Sequence, residues 1–211
     1  MKKLKSTLPN MLLSLTIICL VAGAILAGVN MYTLEPIAAS KAAALQNAIQ
    51  QVVPEFDNNP TEQAYKAVTS EGDSLVIYPA TKDGKFVGAA VESNTKKGFG
   101  GEIKVIVGFD PEGKLLNYSV LQHTETPGLG SKMQEWFRTD KNKQSIIGRS
   151  MTNGNLSVTK DGGDVDAITA ATISSRAFLD AVNRAYSAYK GGADGTSGAT
   201  SKTQTEEGGD K

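Results

Sequence analysis

A single cysteine, Cys19, and a single histidine, His123, are all that the 211 residues hold of the two side chains most used to bind transition metals. One cysteine excludes an internal disulfide and a cysteine-built metal site. One histidine is a thin basis for any other metal centre, and no metal ligand set is assigned. Cys19 lies in an apolar run, where it serves most simply as a small apolar filler. Net charge is also lacking, since Lys+Arg and Asp+Glu are both 22. What asymmetry exists is at the start: residues 1–34 hold Lys2, Lys3 and Lys5 and no acid. The rest of the chain is therefore mildly acidic, a poor footing for a nucleic-acid partner.

Charge is wholly absent from Met11 to Tyr32. As a helix rising 1.5 Å per residue this run spans roughly 33 Å, against a bilayer core of about 30 Å. The three lysines ahead of it predict a cytoplasmic N-terminus over residues 1–10, a membrane helix over 11–32, and a main domain on the extracytoplasmic side. A cleavable signal peptide ending near Ala22-Gly23-Ala24 is one alternative, and a lipoprotein centred on Cys19 is another. Apolar character continuing through Ile25, Leu26 and Val29 weighs against the first. Ile18, where a small residue is wanted, weighs against the second. Gly23/Ala27 and Ala24/Gly28 are small pairs at four-residue spacing, suited to close approach of a neighbouring membrane helix.

Beyond the run, Pro36 opens a predicted helix reaching about Val53, with Leu45, Ala48, Ile49 and Val52 on one face and Pro54 closing it. Glu55 to Ser70 has no decisive pattern. From Ser74 the rhythm becomes that of strands: Leu75–Tyr78, Phe86–Val91, Ile103–Phe109 and Leu115–Leu121. Turn signals at Lys82–Lys85, Gly98–Gly101 and Asp110–Gly113 separate them, and such short connections imply antiparallel pairing. Ser131 and Gln134 form a capping-box pattern ahead of Met133, Trp136 and Phe137. Leu156 and Val158 suggest one more strand. The class is α+β, a mainly antiparallel sheet with packed helices.

Two stretches carry chemical content. In Asp166–Lys190, Phe178, Ala181, Val182, Ala185, Tyr186 and Tyr189 recur at helical spacing, opposite Arg176, Asp180, Asn183 and Arg184. Gly191-Gly192 is the expected stop. Hydroxyls at Thr169, Thr172, Ser174 and Ser175 surround the helix start, where unpaired N–H groups and the helix dipole favour an anion; simple capping explains them too. The second stretch is His123-Thr124-Glu125-Thr126-Pro127-Gly128-Leu129-Gly130. Its Pro-Gly turn and glycines permit close backbone approach, and His123 with Glu125 could form an acid–base pair, or be merely solvated in a surface loop. No Ser or Cys nucleophile motif accompanies that pair, so a hydrolase is the weaker reading.

The pattern Asp166, two residues, Thr169-Ala170-Ala171-Thr172, one residue, Ser174 resembles the flavinylation motif of the FMN-binding subunits of the Rnf and Nqr redox complexes. His-x-Glu-Thr-Pro-Gly-Leu-Gly resembles their second signature, and Gly98-Phe99-Gly100-Gly101 before Glu102 a third. Order and the preceding membrane run are nearest to the G subunits of Rnf complexes; the related C subunits of sodium-pumping NADH:quinone reductases are usually longer. Ala170 stands where glycine is usual. The resemblance implies FMN joined as a phosphoester to Thr172, with Thr169, Ala170, Ala171 and Ser174 around the phosphate and His123, Glu125, Thr126, Gly128 and Leu129 approaching the flavin. A threonine hydroxyl is a weak nucleophile, so attachment implies an external flavin transferase and no catalytic residue in this chain. The further implications are membrane partner subunits and electron relay in an ion-translocating ferredoxin:NAD oxidoreductase. The alternatives are a flavin-free, membrane-anchored binding or assembly module and the related subunit of a sodium-pumping NADH:quinone reductase. The tail 191–211, poor in apolar residues, is expected to be disordered. It repeats the motif core at Gly195–Thr200, which makes Thr200 a second candidate.

Overall fold

The computed structural model describes residues 7–69, 74–152 and 154–197, with no side-chain detail for 192–197. The chain divides into two compact units, Met1–Leu45 and Gln46–Lys211. Helix α1, Leu8–Val52, begins in the first and ends in the second. Among the described residues it is the one helix long and apolar enough to cross a membrane, and its apolar window is unburied. Pro36 does not open a new helix, as its residue type suggests; it lies inside a continuous one. Proline lacks an N–H, so the carbonyl of Tyr32 four residues before it has no intrahelical donor, a local loss the long helix absorbs.

The second unit is built on a five-stranded antiparallel meander in the order β1-β2-β3-β4-β5: Tyr65–Val68, Ser74–Lys82, Lys85–Thr95, Ile103–Phe109 and Leu115–His123. The four expected strands are β2 to β5. β1 adds an edge in the stretch without a decisive pattern. After β5 come a single 3-10 turn, Gly130–Lys132, the short helix α2, Met133–Trp136, a second 3-10 turn, Thr159–Asp161, and helix α3, Thr172–Ser197.

Alternation along the strands sends side chains to two covered faces. Ala89 and Val91 of β3 and Val105, Val107 and Phe109 of β4 belong to the core under α3, with Phe178, Ala181, Val182 and Ala185 opposite. Phe178 stacks on Phe137 at 4.6 Å and meets Tyr118 edge-on at 4.8 Å, while Tyr189 stacks on Phe109 at 5.1 Å. Each such buried ring contributes about 1.5–3 kcal/mol through apolar burial. The intervening residues Ala90 and Ile106, also buried, face the other way. There the end of α1 packs: Ala48, Ile49 and Val52 are buried, and the carbonyl of Val52 occupies the space a side chain at Gly108 would need. Asn117 donates to the Gln51 carbonyl at 2.9 Å beside it.

Three local expectations are corrected. The Ser131–Gln134 capping box does not form: Ser131 Oγ accepts from the Gly128 N–H at 2.9 Å, and α2 starts without a side-chain cap. Leu156 and Val158 make no strand, only an isolated parallel bridge from Val158 to Val165. The reason is Asn183 of α3, whose amide takes both the N–H and the carbonyl of Leu156, each at 2.9 Å, in place of a strand neighbour. Gly191-Gly192 does not stop α3, which stays helical through Ser197. Residues 191–197 are therefore helical; the rest of the tail, Thr200 included, lies outside the described residues.

Candidate functional site

The pairings Thr95↔Ile103 and Ile103↔His123 bring the β3–β4 connection and the exit of β5 to the same end of the sheet. Two bonds join these segments: Thr124 Oγ1 donates to the Gly100 carbonyl at 2.6 Å, and the Gly100 N–H donates to Glu125 Oε1 at 2.9 Å. The start of α3 joins them, with Ser174 Oγ donating to Glu125 Oε2 at 2.5 Å. Glu125 is only 4 % exposed, so three segments distant in sequence meet on one buried carboxylate. No lysine or arginine pairs with it among the described residues. It is satisfied by charge-assisted hydrogen bonds instead, the condition under which a buried carboxylate is tolerated. Close approach fixes the glycines beside it. A Cβ at Gly130 would lie 2.5 Å from Ser174 Oγ and 2.6 Å from Glu125 Oε2, and one at Gly98 would lie 2.5 Å from Oε1.

Over this junction opens a cavity of about 320 Å³. Phe99 from the β3–β4 connection, Glu125, Thr126, Leu129 and Gly130 after β5, and Ala170 to Ser174 line it. Five large apolar side chains are exposed among the described residues after Gln46: Val68, Phe86, Phe99, Leu129 and Ile173. Three of the five ring this one cavity, which marks it as a candidate ligand site.

The chain reaches α3 through a tight turn. The Ala171 N–H donates to the Ile168 carbonyl at 3.0 Å, and Ala170 in the third position has φ +62°. A turn with positive φ there ordinarily calls for glycine. Ser175, fully buried, accepts from the Ile168 N–H and donates to the Ala171 carbonyl, both at 2.9 Å, so it clamps the turn to the helix. Asp166 anchors the approach. Its backbone and carboxylate exchange bonds with Lys143 at 2.9 and 3.2 Å, and its carbonyl accepts from Trp136 Nε1–H at 2.8 Å.

Thr172 is the first residue of α3, where the leading N–H groups have no acceptor within the helix. Its Oγ1 accepts from Lys160 Nζ at 3.2 Å. One turn later Arg176 makes a bidentate pair with Asp161, at 2.7 and 2.6 Å. Hydrogen bonding to that guanidinium holds the Asp161 carboxyl below its ordinary value, and the same bonds raise Arg176.

Of the residues singled out in the sequence, Glu125, Thr126, Leu129, Ala170, Ala171, Thr172 and Ser174 line the cavity. Thr169, His123 and Gly128 do not. Thr169 is exposed, and Gly128 serves its turn at φ +74°. His123 and Glu125 do not form an acid–base pair: His123 Nδ1 takes the Glu125 backbone N–H at 3.2 Å while the carboxylate goes to Gly100 and Ser174. Ser174 is correspondingly not a free phosphate donor, since its hydroxyl proton is committed to Glu125. The structure adds Phe99 and Gly130, which the sequence offers only as members of two signatures and not as flavin contacts, together with Ile173 and Lys160, for which the sequence carries no signal.

Residues 98–187 match the model of the FMN-binding domain, the same span that holds the three converging segments. The chain is 40 % identical to the G subunit of the ion-translocating oxidoreductase complex of Vibrio parahaemolyticus, over 65 % of this chain and 68 % of that one. It is 35 % identical to the protein of the same name from Shewanella oneidensis, over 82 % and 85 %, and 33 % identical to that of Aliivibrio fischeri, over 88 % and 91 %. The chain belongs to this family of G subunits. The residues present fit FMN. Exposed apolar side chains around a recess whose lining includes Gly130, Ala170 and Ala171 suit a flat ring, and a hydroxyl beside an ammonium at a helix start suits a phosphate.

Proposed function

We propose that this chain is the membrane-anchored flavin subunit of an ion-translocating oxidoreductase complex, with FMN joined through its phosphate to Thr172 Oγ1. The observation that carries the reading is the position of Thr172, on the wall of an apolar-rimmed cavity and at the first residue of α3. FMN held there would supply one-electron chemistry, while the protein supplies placement and environment. Phe99, Leu129 and Ile173 offer apolar surface to the ring. Glu125 holds the three walls together. The α3 start and Lys160 face the phosphate with positive charge, and Thr169 stands at the outer edge of the turn. A tethered flavin stays in place between donor and acceptor, as a fixed relay requires. Residues 11–32 span the membrane once, with residues 1–10 cytoplasmic and the domain from 33 onward outside, among other membrane subunits of the complex. A separate flavin transferase makes the bond: among the described residues no carboxylate or imidazole is hydrogen-bonded to the Thr172 hydroxyl, whose one side-chain partner is the Lys160 donor.

Fluorescence of the protein band on a denaturing gel tests the assignment, in chains co-expressed with an active flavin transferase. Wild type and Thr200→Ala should glow, and Thr172→Ala should be dark. A bright Thr172→Ala band would end the reading, and darkness in every lane would favour a flavin-free anchoring module.

A further inference from the structure

Resting on the Thr172 assignment, we propose that Lys160 is a positioning residue for the phosphate on Thr172, the fixed cation against which that phosphate settles. The observation is an ammonium bonded to the Thr172 hydroxyl. Lys160 Nζ donates to Thr172 Oγ1 at 3.2 Å, and no carboxylate lies within ion-pair distance of it among the described residues. An acid is at hand in the next residue, yet both oxygens of Asp161 are taken by Arg176. The cluster of Lys160, Asp161 and Arg176 therefore carries one uncompensated positive charge, and it is directed at a neutral hydroxyl.

The placement is structural rather than incidental. Lys160 sits in the 3-10 turn Thr159–Asp161, closed by Gly162 in the left-handed region at φ +81°. The Thr159 N–H donates to the Val165 carbonyl at 2.8 Å, and the Gly163 N–H to that of Val158 at 3.1 Å. The Arg176–Asp161 fork then fastens this turn to the helix that begins with Thr172. A phosphodiester on Oγ1 keeps one negative charge at neutral pH. It would replace a neutral acceptor of the ammonium with an anionic one, and α3 adds its own positive end. The arrangement makes the loaded state the one in which local charges balance.

The test uses full-length protein in membranes, co-expressed with a limiting amount of flavin transferase, in wild-type, Lys160→Arg, Lys160→Gln, Lys160→Glu and Thr172→Ala forms. Gel fluorescence per unit protein reads the rate of loading. The difference in unfolding temperature between loaded protein and protein made without transferase reads the loaded state itself. Lys160→Arg should behave as wild type. Lys160→Gln should load about 2- to 5-fold more slowly, the range an exposed ion pair supports, and Lys160→Glu more slowly still. The stabilisation on loading should shrink in the same order, and high salt should narrow the differences. Unloaded variants should unfold together, because Lys160 is exposed. A dark Thr172→Ala band beside Gln and Glu variants that load and stabilise like wild type would overturn this proposal alone. A bright Thr172→Ala band would overturn the assignment of Thr172 and this proposal with it.

Discussion

Cutting the bonds that converge on Glu125 should unfasten the three walls of the cavity in a way that two single substitutions cannot report separately. Ser174→Ala removes the 2.5 Å bond and leaves one carboxylate oxygen buried without a donor, costing about 2 kcal/mol. Glu125→Ala strands the Gly100 N–H and the Ser174 hydroxyl and opens space where Gly98 and Gly130 were packed, costing about 3 kcal/mol. In the double variant the serine has no partner left to lose, so the total should stay near 3 kcal/mol instead of about 5, a coupling of about 2 kcal/mol. Glu125→Gln keeps an oxygen for Gly100 and can turn its amide to the serine, so about 1 kcal/mol is expected. For a domain of this size Ser174→Ala should lower Tm by roughly 4–8 °C. Trp136, the single tryptophan, is bonded to the Asp166 carbonyl and so reports unfolding at the site by its fluorescence. Additive losses, with a coupling below about 0.5 kcal/mol, would refute the idea that Glu125 acts as the common fastening.

Ala170→Gly should stabilise the protein, since holding an alanine in the left-handed region costs about 1–2 kcal/mol and the extra freedom of glycine when unfolded offsets only about 0.4–1 kcal/mol of the relief. A Tm rise of a few degrees is the expected reading, and a fall would mean the φ +62° turn is not maintained in solution. Alkaline pH should unfold the domain through its buried phenols. Burial raises Tyr118 and Tyr189 each to about 12. A raised folded value means stability fully present below the unfolded value near 10 and lost as pH climbs through about 12. Tm should therefore fall steeply between about pH 10 and 12, and Tyr118→Phe should flatten that fall while lowering Tm at neutral pH, where the Met133 carbonyl loses its 2.7 Å donor. An unchanged alkaline slope in Tyr118→Phe would contradict the cause assigned to it.

The strands that sequence makes plain are those bounded by turn chemistry. β2 to β5 announce themselves by Asp-Gly and Pro-Glu-Gly connections and by alternation, and the buried stripe of α3 by its spacing. β1 is four residues on a sheet edge with one buried side chain, Ala67, too short for a periodicity to emerge. The segments that differ have both distant and local causes. Asn183 replaces a strand neighbour for Leu156, the Gly128 N–H claims the hydroxyl meant to cap α2, and α3 runs on through two glycines. At the site, Thr172, Glu125 and the glycine-rich turns were legible as motifs. What motifs could not carry was their junction, in which Ser174 serves Glu125 instead of a phosphate. Nor could they carry Lys160, twelve residues upstream of Thr172 and brought to it by the folded 3-10 turn and the Arg176–Asp161 fork.

The central claim is a bond at one atom, and peptide mass spectrometry of protein co-expressed with a flavin transferase tests it most directly. The account predicts that the peptide containing Thr172 carries an added mass of FMN less one water, with fragment ions placing it on Thr172 and the Thr200 peptide unmodified. FMN on Thr200 with Thr172 bare, or FMN released intact on denaturation, would contradict it.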